Sequence, residues 1–432
     1  MSIYNDVINY SGPYEIDNLK IYVVNDGEFT YLFHRESANW LKIKTNKNSI
    51  DWDSYLELNK CKFKNYFEIK RDIAKLHPQY SPQALILFPT ETCNLRCLYC
   101  HCDSTVGTNM TTDIAIKAID GYLNQFTDGS RAHLGFSGGG EPTVNMPIIK
   151  SAVTHFNRSC ASRGLRSTTN IVTNACCSKD NAKWLLESMD HITVSFDGLP
   201  DLQDMQRPLS GGGSSWAYIS NFMNLAVNYN KSIAVRVSLS FDNISKVSDM
   251  MQFISKLPVK FIAIEAIYKT GRGKALDYGG DENFDAFFRE LLKFPGKIRN
   301  SLLSPVSQKA SFCDAARGNL IVTPKGNISL CTEISEKDDL LADCAIVGQI
   351  EDTGIKIDHD KFLTFQDKVA ELTKNCSGCI VKNKCGGGCY AKRWRGYSTD
   401  DPALCSTIIK ANLSLLLNQF KGEDYGHSRS LR

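Results

Sequence analysis

No apolar stretch of the 432 residues approaches the ~20 needed to cross a bilayer as a helix. The opening residues, Met1-Ser-Ile-Tyr-Asn-Asp-Val7, have neither the basic n-region nor the apolar run of an export signal. A membrane protein and a secreted one are both unexpected, and a cytoplasmic location is expected. Basic tracts are missing as well. No run or stripe of Lys and Arg stands out and the formal charge is only +3, so no nucleic-acid footprint is present. What the chain has in quantity is cysteine, sixteen in all. Without an export signal these are poorly explained as disulfides, because the cytosol keeps thiols reduced. Metal or cluster ligation is the better use for most of them. The length leaves room for two or three domains, and 42% hydrophobic content suits an ordinary soluble core.

The densest thiol group lies in residues 90–102, Thr-Glu-Thr-Cys-Asn-Leu-Arg-Cys-Leu-Tyr-Cys-His-Cys. Cys93, Cys97 and Cys100 form a C-x3-C-x2-C array just after the apolar run Ala84 to Phe88, so three thiolates gather where a strand ends. A cubane 4Fe-4S cluster normally takes four cysteines. Three on one loop leave an iron open to substrate, as a catalytic zinc keeps an open position. A zinc knuckle or scattered core thiols are the plainer alternatives. Cys102 falls outside the array and reads as a buried or incidental thiol. The array resembles the cluster motif of the radical SAM enzymes. In that family the open iron takes the amino and carboxylate groups of S-adenosylmethionine, which is cleaved reductively to a 5'-deoxyadenosyl radical. The resemblance implies that Tyr99 lies near the adenine.

From Ala84 the chain alternates strand-like and helix-like segments six times, which argues for parallel βα units. Strands are expected at 84–88, 133–136, 168–173, 191–196, 233–240 and 261–268. Helices are expected near 112–126, 147–163, 178–188, 215–229, 243–256 and 282–294. The expected fold is α/β: a partial (β/α)6 TIM-type barrel over 84–300, six units being also the number in the radical SAM core, with chemistry at the C-terminal ends of the strands. Ahead of it, residues 1–83 read as a small α+β module. It has two strands, 19–25 and 28–34, around an Asp26-Gly27 tight turn in which both positions favour positive φ, then helical patterns at 54–60 and 65–75. The resemblance allows this module to be a reduced precursor-peptide recognition domain; a structural cap on the barrel is the alternative.

The later strand ends carry further matches. Gly139-Gly140-Glu141-Pro142 has the form of the family's GGEP segment, whose backbone contacts the methionyl amino group; glycine suits close backbone approach. Thr173, Asn174 and Ser195 stand at positions resembling the third and fourth strand ends, and Arg236 resembles a cofactor-fixing position on the fifth. Ser195 and Arg236 would serve equally well in core hydrogen bonds. Glu265 opens a segment similar to the E-x5-G-R motif of peptide-modifying members. It is a candidate catalytic carboxylate, for a proton or a peptide anchor, or else half of a structural ion pair with Arg272 or another base.

After Leu302 a second cysteine series begins: Cys313, Gly326-x4-Cys331, Cys376-x2-Cys379-x5-Cys385-x3-Cys389, and Cys405. It matches the seven-cysteine pattern of the SPASM domain, assigned to 301–432. By the family's arrangement Cys376, Cys379, Cys385 and Cys405 would hold an outer auxiliary 4Fe-4S cluster, and Cys313, Cys331 and Cys389 an inner one. The inner set lacks a fourth cysteine. Cys344 completes it, or the site is open or takes another ligand. A zinc reading of this field stays open, and Cys61, Cys160, Cys176 and Cys177 read as ordinary thiols. The implied activity is that of a radical S-adenosylmethionine oxidoreductase that crosslinks a ribosomally made precursor peptide and is fed electrons by a flavodoxin or ferredoxin. The sulfatase-maturing reaction is the alternative, weakened because Cys331 is followed by Thr332, with Glu333 one further on, where those relatives have an acidic base. A non-enzymatic iron-sulfur or zinc protein is the third class.

Overall fold

A computed structural model describes residues 8–16, 19–35, 39–43, 50–59, 79–102, 107–268, 271–275, 282–303, 311–334, 341–395 and 401–422. Its centre is a run of parallel strands: β5 (Leu85–Leu87), β6 (Arg131–Phe136), β7 (Arg166–Thr173), β8 (His191–Ser195), β9 (Ile233–Leu239) and β10 (Val259–Ala266). All six lie within one to three residues of the expected bounds. The reason is visible in the burial alternation. On β10, Ile262, Ile264 and Ala266 are buried while Ala263 and Glu265 are half-open, so one face meets helices and the other faces the barrel interior.

The helices between the strands follow the expected order. They are α2 (Thr112–Leu123), α3 (Met146–Ser162), α4 (Lys179–Ser188), α6 (Ser215–Asn228), α7 (Val247–Ile254) and α8 (Glu282–Leu291). A further helix, α5 (Pro200–Gln206), stands where no helix was expected. Side-chain caps mark several starts. Thr111, Ser178 and Ser214 accept from the backbone N–H three residues on, at 3.3, 3.3 and 3.0 Å, each worth about 1 kcal/mol. Against the sheet, Phe196 stacks on Trp216 with ring centroids 5.0 Å apart, and Phe253 meets Trp216 edge-on at 5.5 Å. Fully burying each such ring contributes about 1.5–3 kcal/mol.

The sheet does not stop at the barrel. β11 (Ile298–Arg299) adds in parallel to β10 at one edge, and at the other β12 (Leu320–Val322) pairs in parallel with β5. From β12 the order continues antiparallel through β13 (Asn327–Ser329), β14 (Ile346–Glu351) and β15 (Gly354–Ile357), making eleven strands. Among the described residues the sheet does not close on itself, and its continuation covers the boundary drawn at 300/301. The helices α9 (His359–Leu372) and α10 (Pro402–Gly422) complete this half. Buried Asn412 on α10 donates to Leu302 O at 2.9 Å, tying the helix to the barrel's end.

The N-terminal module is a four-stranded antiparallel sheet: β1 (Asn9–Ile16), β2 (Leu19–Asn25), β3 (Thr30–His34) and β4 (Asn39–Ile43), with helix α1 (Trp52–Leu58). The expected tight turn is instead a four-residue loop, because Asn25 pairs with Thr30. Only Gly27 has positive φ, at 91°. The loop is closed by the Asp26 carboxylate, which accepts from Glu28 N at 3.0 Å and Phe29 N at 2.8 Å. The helical pattern expected at 65–75 lies outside the described residues. One sheet face packs Ile21, Val23, Leu32 and Leu41 on Leu56 of α1. The other, with Tyr22, Val24, Tyr31, Phe33 and Trp40, packs on Ile380, Val381, Leu413, Leu416 and Leu417. The module thus sits on the second cysteine field. Among the described residues no helix is long and apolar enough to cross a membrane.

Candidate active site

Four loops at the C-terminal ends of strands converge on the first cysteine array. The loop after β5 is backed by the glycine-rich loop after β6: Gly140 N donates to Thr90 O at 3.2 Å and Glu141 N to Thr92 O at 3.0 Å. A Cβ on Gly140 would lie 2.3 Å from Thr92 O, so any larger residue would push the two loops apart. Below the array, Arg96 N and Leu98 N donate to Pro208 O and Gln206 O at 2.8 and 2.9 Å, at the end of α5. From the loop after β10, Arg272 N donates to Cys100 O at 2.9 Å, and Gly271 (φ +51°) approaches so closely that a Cβ there would sit 2.2 Å from that oxygen.

Cys93, Cys97 and Cys100 lie within electrostatic range of one another. Burial pushes the Cys93 thiol up to about 12 and also raises Cys97. Cys100 goes the other way, chiefly because Cys102 hydrogen-bonds to it, with His101 and Arg272 adding positive charge and a donor. Cys102, whose sulfur is 3.0 Å from His101 Nε2, is thus a neighbour of the array.

Tyr99 is anchored from the fourth strand end. Its hydroxyl donates to Asp197 Oδ2 at 2.5 Å, the same oxygen takes Arg207 Nε at 3.0 Å, and the Arg207 guanidinium lies 5.1 Å from the Tyr99 ring centroid. Asp197 is fully buried, and Ser238 N donates to its other oxygen at 3.2 Å. Asp197 lies two residues past Ser195, the one residue of this strand end that the sequence pointed to. Nothing local pointed to Arg207, which comes from α5.

Glu141 is buried and takes four donors: Thr143 N at 3.0 Å, Thr143 Oγ1 at 2.7 Å, Thr173 Oγ1 at 2.6 Å and Asn174 N at 2.8 Å. Burial pushes its carboxyl up and those donors pull it back down. Asn174 donates to Asn94 Oδ1 at 2.8 Å, so the third strand end is wired into the cysteine loop. Thr173, Asn174 and Glu141 therefore form one network beneath the array, with Gly139 and Pro142 flanking it in sequence.

Ser195 and Arg236 are register partners on β8 and β9, and Glu265 lies two residues beyond Ala263, which pairs with Arg236. All three share the open face of the sheet. Arg236 is exposed there. Glu265 accepts from Ser301 N at 2.8 Å and Ser301 Oγ at 2.7 Å, with Asn300 Nδ2 at 3.4 Å. These partners, just past β11, replace the ion pair with Arg272 considered from the sequence; Arg272 faces Cys100 instead.

The second field separates into two groups. Cys385 has Cys379, Cys376 and Cys405 as electrostatic neighbours. Cys313 has Cys331 and Cys389. Cys344 points elsewhere: its sulfur accepts from Lys368 Nζ of α9 at 2.8 Å. The Gly386-Gly387-Gly388 run between Cys385 and Cys389 holds φ of 67°, 82° and 78°, and a Cβ at Gly386 would meet Phe312 N at 2.5 Å, so only glycines allow the two ligand loops to approach.

Between the two fields lies a set of charges that the sequence did not reveal. Glu333, two residues past Cys331, binds Arg395 at 2.9 Å, and Lys392, Arg395 and His101 hold its carboxyl below the usual range against the effect of burial. The Lys392 ammonium sits 3.3 Å from the Tyr268 ring centroid. These residues join the first cysteine loop to the inner thiols. Among the described residues no three Cys, His, Asp or Glu side chains converge on a single ion. The thiols are grouped in threes and fours, and an iron-sulfur cluster is held by thiolates that each bind one iron.

Residues 87–254 match the Radical SAM superfamily model. Those residues are a radical SAM domain. An uncharacterized protein of Methanocaldococcus jannaschii is 25% identical over 249 residues, covering 57% of this chain and 84% of that one. Among solved structures, native anSMEcpe with bound AdoMet and Cp18Cys peptide superposes with a TM-score of 0.63 at 17% identity, covering 79% of this chain and 99% of that chain. Streptococcus suis SuiB bound to its precursor peptide SuiA gives 0.50 at 12% identity, covering 85% and 94%. These likenesses extend the shared fold well beyond the radical SAM domain into the cysteine-rich half.

Proposed function

We propose that this radical SAM enzyme is a peptide maturase that abstracts a hydrogen atom from a ribosomally made precursor and closes an intramolecular crosslink, with weak preference for one involving an aromatic side chain. The observation that carries the reading is the charge link between the two thiol fields: Glu333 and Lys392, beside the Cys313, Cys331 and Cys389 group, lie within electrostatic range of His101 in the first cysteine loop and of Arg236 and Glu265 on the barrel strands. Support comes from two solved structures of similar fold that hold a bound peptide. With its cluster and S-adenosylmethionine bound, the first loop would supply reductive cleavage of the sulfonium and a carbon-centred adenosyl radical.

The chain's own residues divide the rest. Cys93, Cys97 and Cys100 would hold the 4Fe-4S cluster. The Gly139–Pro142 backbone, Thr173, Asn174, Ser195 and Arg236 would line the cofactor, with Tyr99 held by Asp197 to fix one wall. Cys376, Cys379, Cys385 and Cys405 would hold the outer auxiliary cluster and the inner trio the other, giving oxidised product a place to leave an electron. Glu265, locked by Ser301, is better placed to anchor a peptide than to shuttle a proton. A flavodoxin or ferredoxin would be the external reductant, and the reaction would take place in the cytoplasm.

The test is anaerobic reconstitution with strong reductant and, as substrate, any short peptide that a neighbouring reading frame is found to encode. Formation of 5'-deoxyadenosine together with loss of two hydrogens from the peptide is expected. Cofactor cleavage with formylglycine appearing in a sulfatase peptide would establish the alternative reaction. Cofactor cleavage that never alters any peptide would refute the maturase reading.

A further inference from the structure

The inner thiol group contains one buried polar atom that none of the roles above uses. Tyr390 follows Cys389 directly and is 3% exposed. Its ring is clamped edge-on by Phe365 and tilted against Trp394, with centroids 4.9 and 5.0 Å away, so the phenol is held in one direction. The hydroxyl oxygen is buried and, among the described residues, meets no nitrogen or oxygen partner. A buried hydroxyl left so costs about 1–3 kcal/mol, and native interiors rarely retain one without a reason.

What the hydroxyl faces is sulfur: Cys331 first, with Cys313 and Cys389 in electrostatic range. The small cavity beside it is walled by Phe312, Cys313, Leu372 and Gly386 to Gly388. The two other hydroxyls on that wall are engaged, Ser311 Oγ with Cys313 O at 2.8 Å and Thr373 Oγ1 with Ala370 O at 3.0 Å. The Cys344 thiol, the sequence's candidate for a fourth ligand, is taken by Lys368.

We infer that Tyr390 is a positioning residue of the inner auxiliary cluster, its phenol donating a hydrogen bond to the Cys331 sulfur when iron holds Cys313, Cys331 and Cys389. The inference rests on the auxiliary-cluster reading above. A donor placed on a ligand sulfur withdraws charge from the cluster and favours its reduced form, which raises the reduction potential. In a maturase that would make the inner cluster a readier acceptor of the electron left by the product radical.

The experiment is an iron count and a redox titration followed by electron paramagnetic resonance on anaerobically reconstituted full-length enzyme, comparing wild type, Tyr390→Phe and Cys331→Ser. Cys331→Ser marks which signal belongs to the inner cluster. Tyr390→Phe keeps the ring and its packing and removes only the donor, so iron should stay at about twelve per chain while the marked signal moves to more negative potential. A marked signal that stays put with all iron retained would overturn the inference. So would loss of iron in Tyr390→Phe, which would make the phenol a ligand or a packing element rather than a donor. A wild type holding only the irons of two clusters, with no signal sensitive to Cys331→Ser, would instead remove the auxiliary-cluster reading itself.

Discussion

A buried carboxylate with a buried guanidinium beside it is a costly arrangement, tolerable only while both are present. Asp197 takes Tyr99, Arg207 and Ser238 N, and no solvent reaches it. Asp197→Ala leaves the Arg207 charge uncompensated, a loss of the order of 3–5 kcal/mol. Tyr99→Phe removes one charge-assisted hydrogen bond, about 1.5–3 kcal/mol. Denaturant unfolding of anaerobic protein should rank the two in that order, and equal midpoints would contradict the pairing. Glu141 gives a sharper case, because all four of its partners donate. In Glu141→Gln the amide NH2 must face either Thr143 N or Asn174 N, neither of which can turn to accept. A loss of about 1–3 kcal/mol is expected, together with weaker S-adenosylmethionine binding because Asn174 and the Gly140 loop shift. A thermal midpoint equal to wild type would show that the network tolerates the change.

At the scale of elements, the N-terminal sheet is tied to the outer thiols by two side chains. Arg35 Nη1 donates to Ser377 O at 2.9 Å and Cys379 O at 3.0 Å, and Tyr22 Oη donates to Gly378 O at 3.2 Å. The carbonyls of Ser377, Gly378 and Cys379 therefore accept from the module. Arg35→Ala should lower the iron content of the anaerobic protein toward the level of two clusters and speed proteolysis between the module and the barrel. Unchanged iron and unchanged proteolysis would separate the module from the cluster loop. Neither role first considered for the module, peptide recognition or a cap on the barrel, describes this contact. Its cause is long range: Tyr22 and Gly378 are 356 residues apart, and no local pattern records such a pairing. Strands such as β7, β8 and β10 were legible because buried and open positions alternate along them, and several helices because polar caps open them. β1 was not, since Gly12 and Pro13 interrupt it. β12 to β15 were not either, being short segments whose partners are set by the sheet edge. The grouping of the cysteines into three sets was legible from spacing, whereas Arg207, Lys392, Arg395 and Tyr390 come beside them through tertiary packing alone.

For the whole molecule, the decisive feature is that one sheet runs through both halves. β5, which launches the first cysteine loop, is hydrogen-bonded on one side to β6 and on the other to β12, with Leu85 opposite Leu134 and Leu320. The α2 helix packs on the far hairpin as well: Lys117 binds Asp352 at 2.9 Å, and a Cβ on Gly121 would lie 2.8 Å from Ile355. Removing everything after residue 300 would strip β5 of a parallel neighbour and expose Leu85, Leu87 and Ala118, all buried in the intact chain. An edge of that kind, apolar and unpaired, invites association. The fragment 84–300 should therefore lose near-UV circular dichroism and bind a hydrophobic dye while keeping much of its helix signal, whereas the full chain loaded with iron should unfold in one transition. The same continuity makes the C-terminal thiols matter to the barrel. If the auxiliary clusters hold 376–405 together as their folding energy, then stripping iron with a chelator should disturb β12 first and the Cys93–Cys100 loop through it. Hydrogen exchange at Leu85–Leu87 rising in step with exchange at Leu320–Val322 would demonstrate that coupling, and protection at β5 that persists after iron is gone would break it.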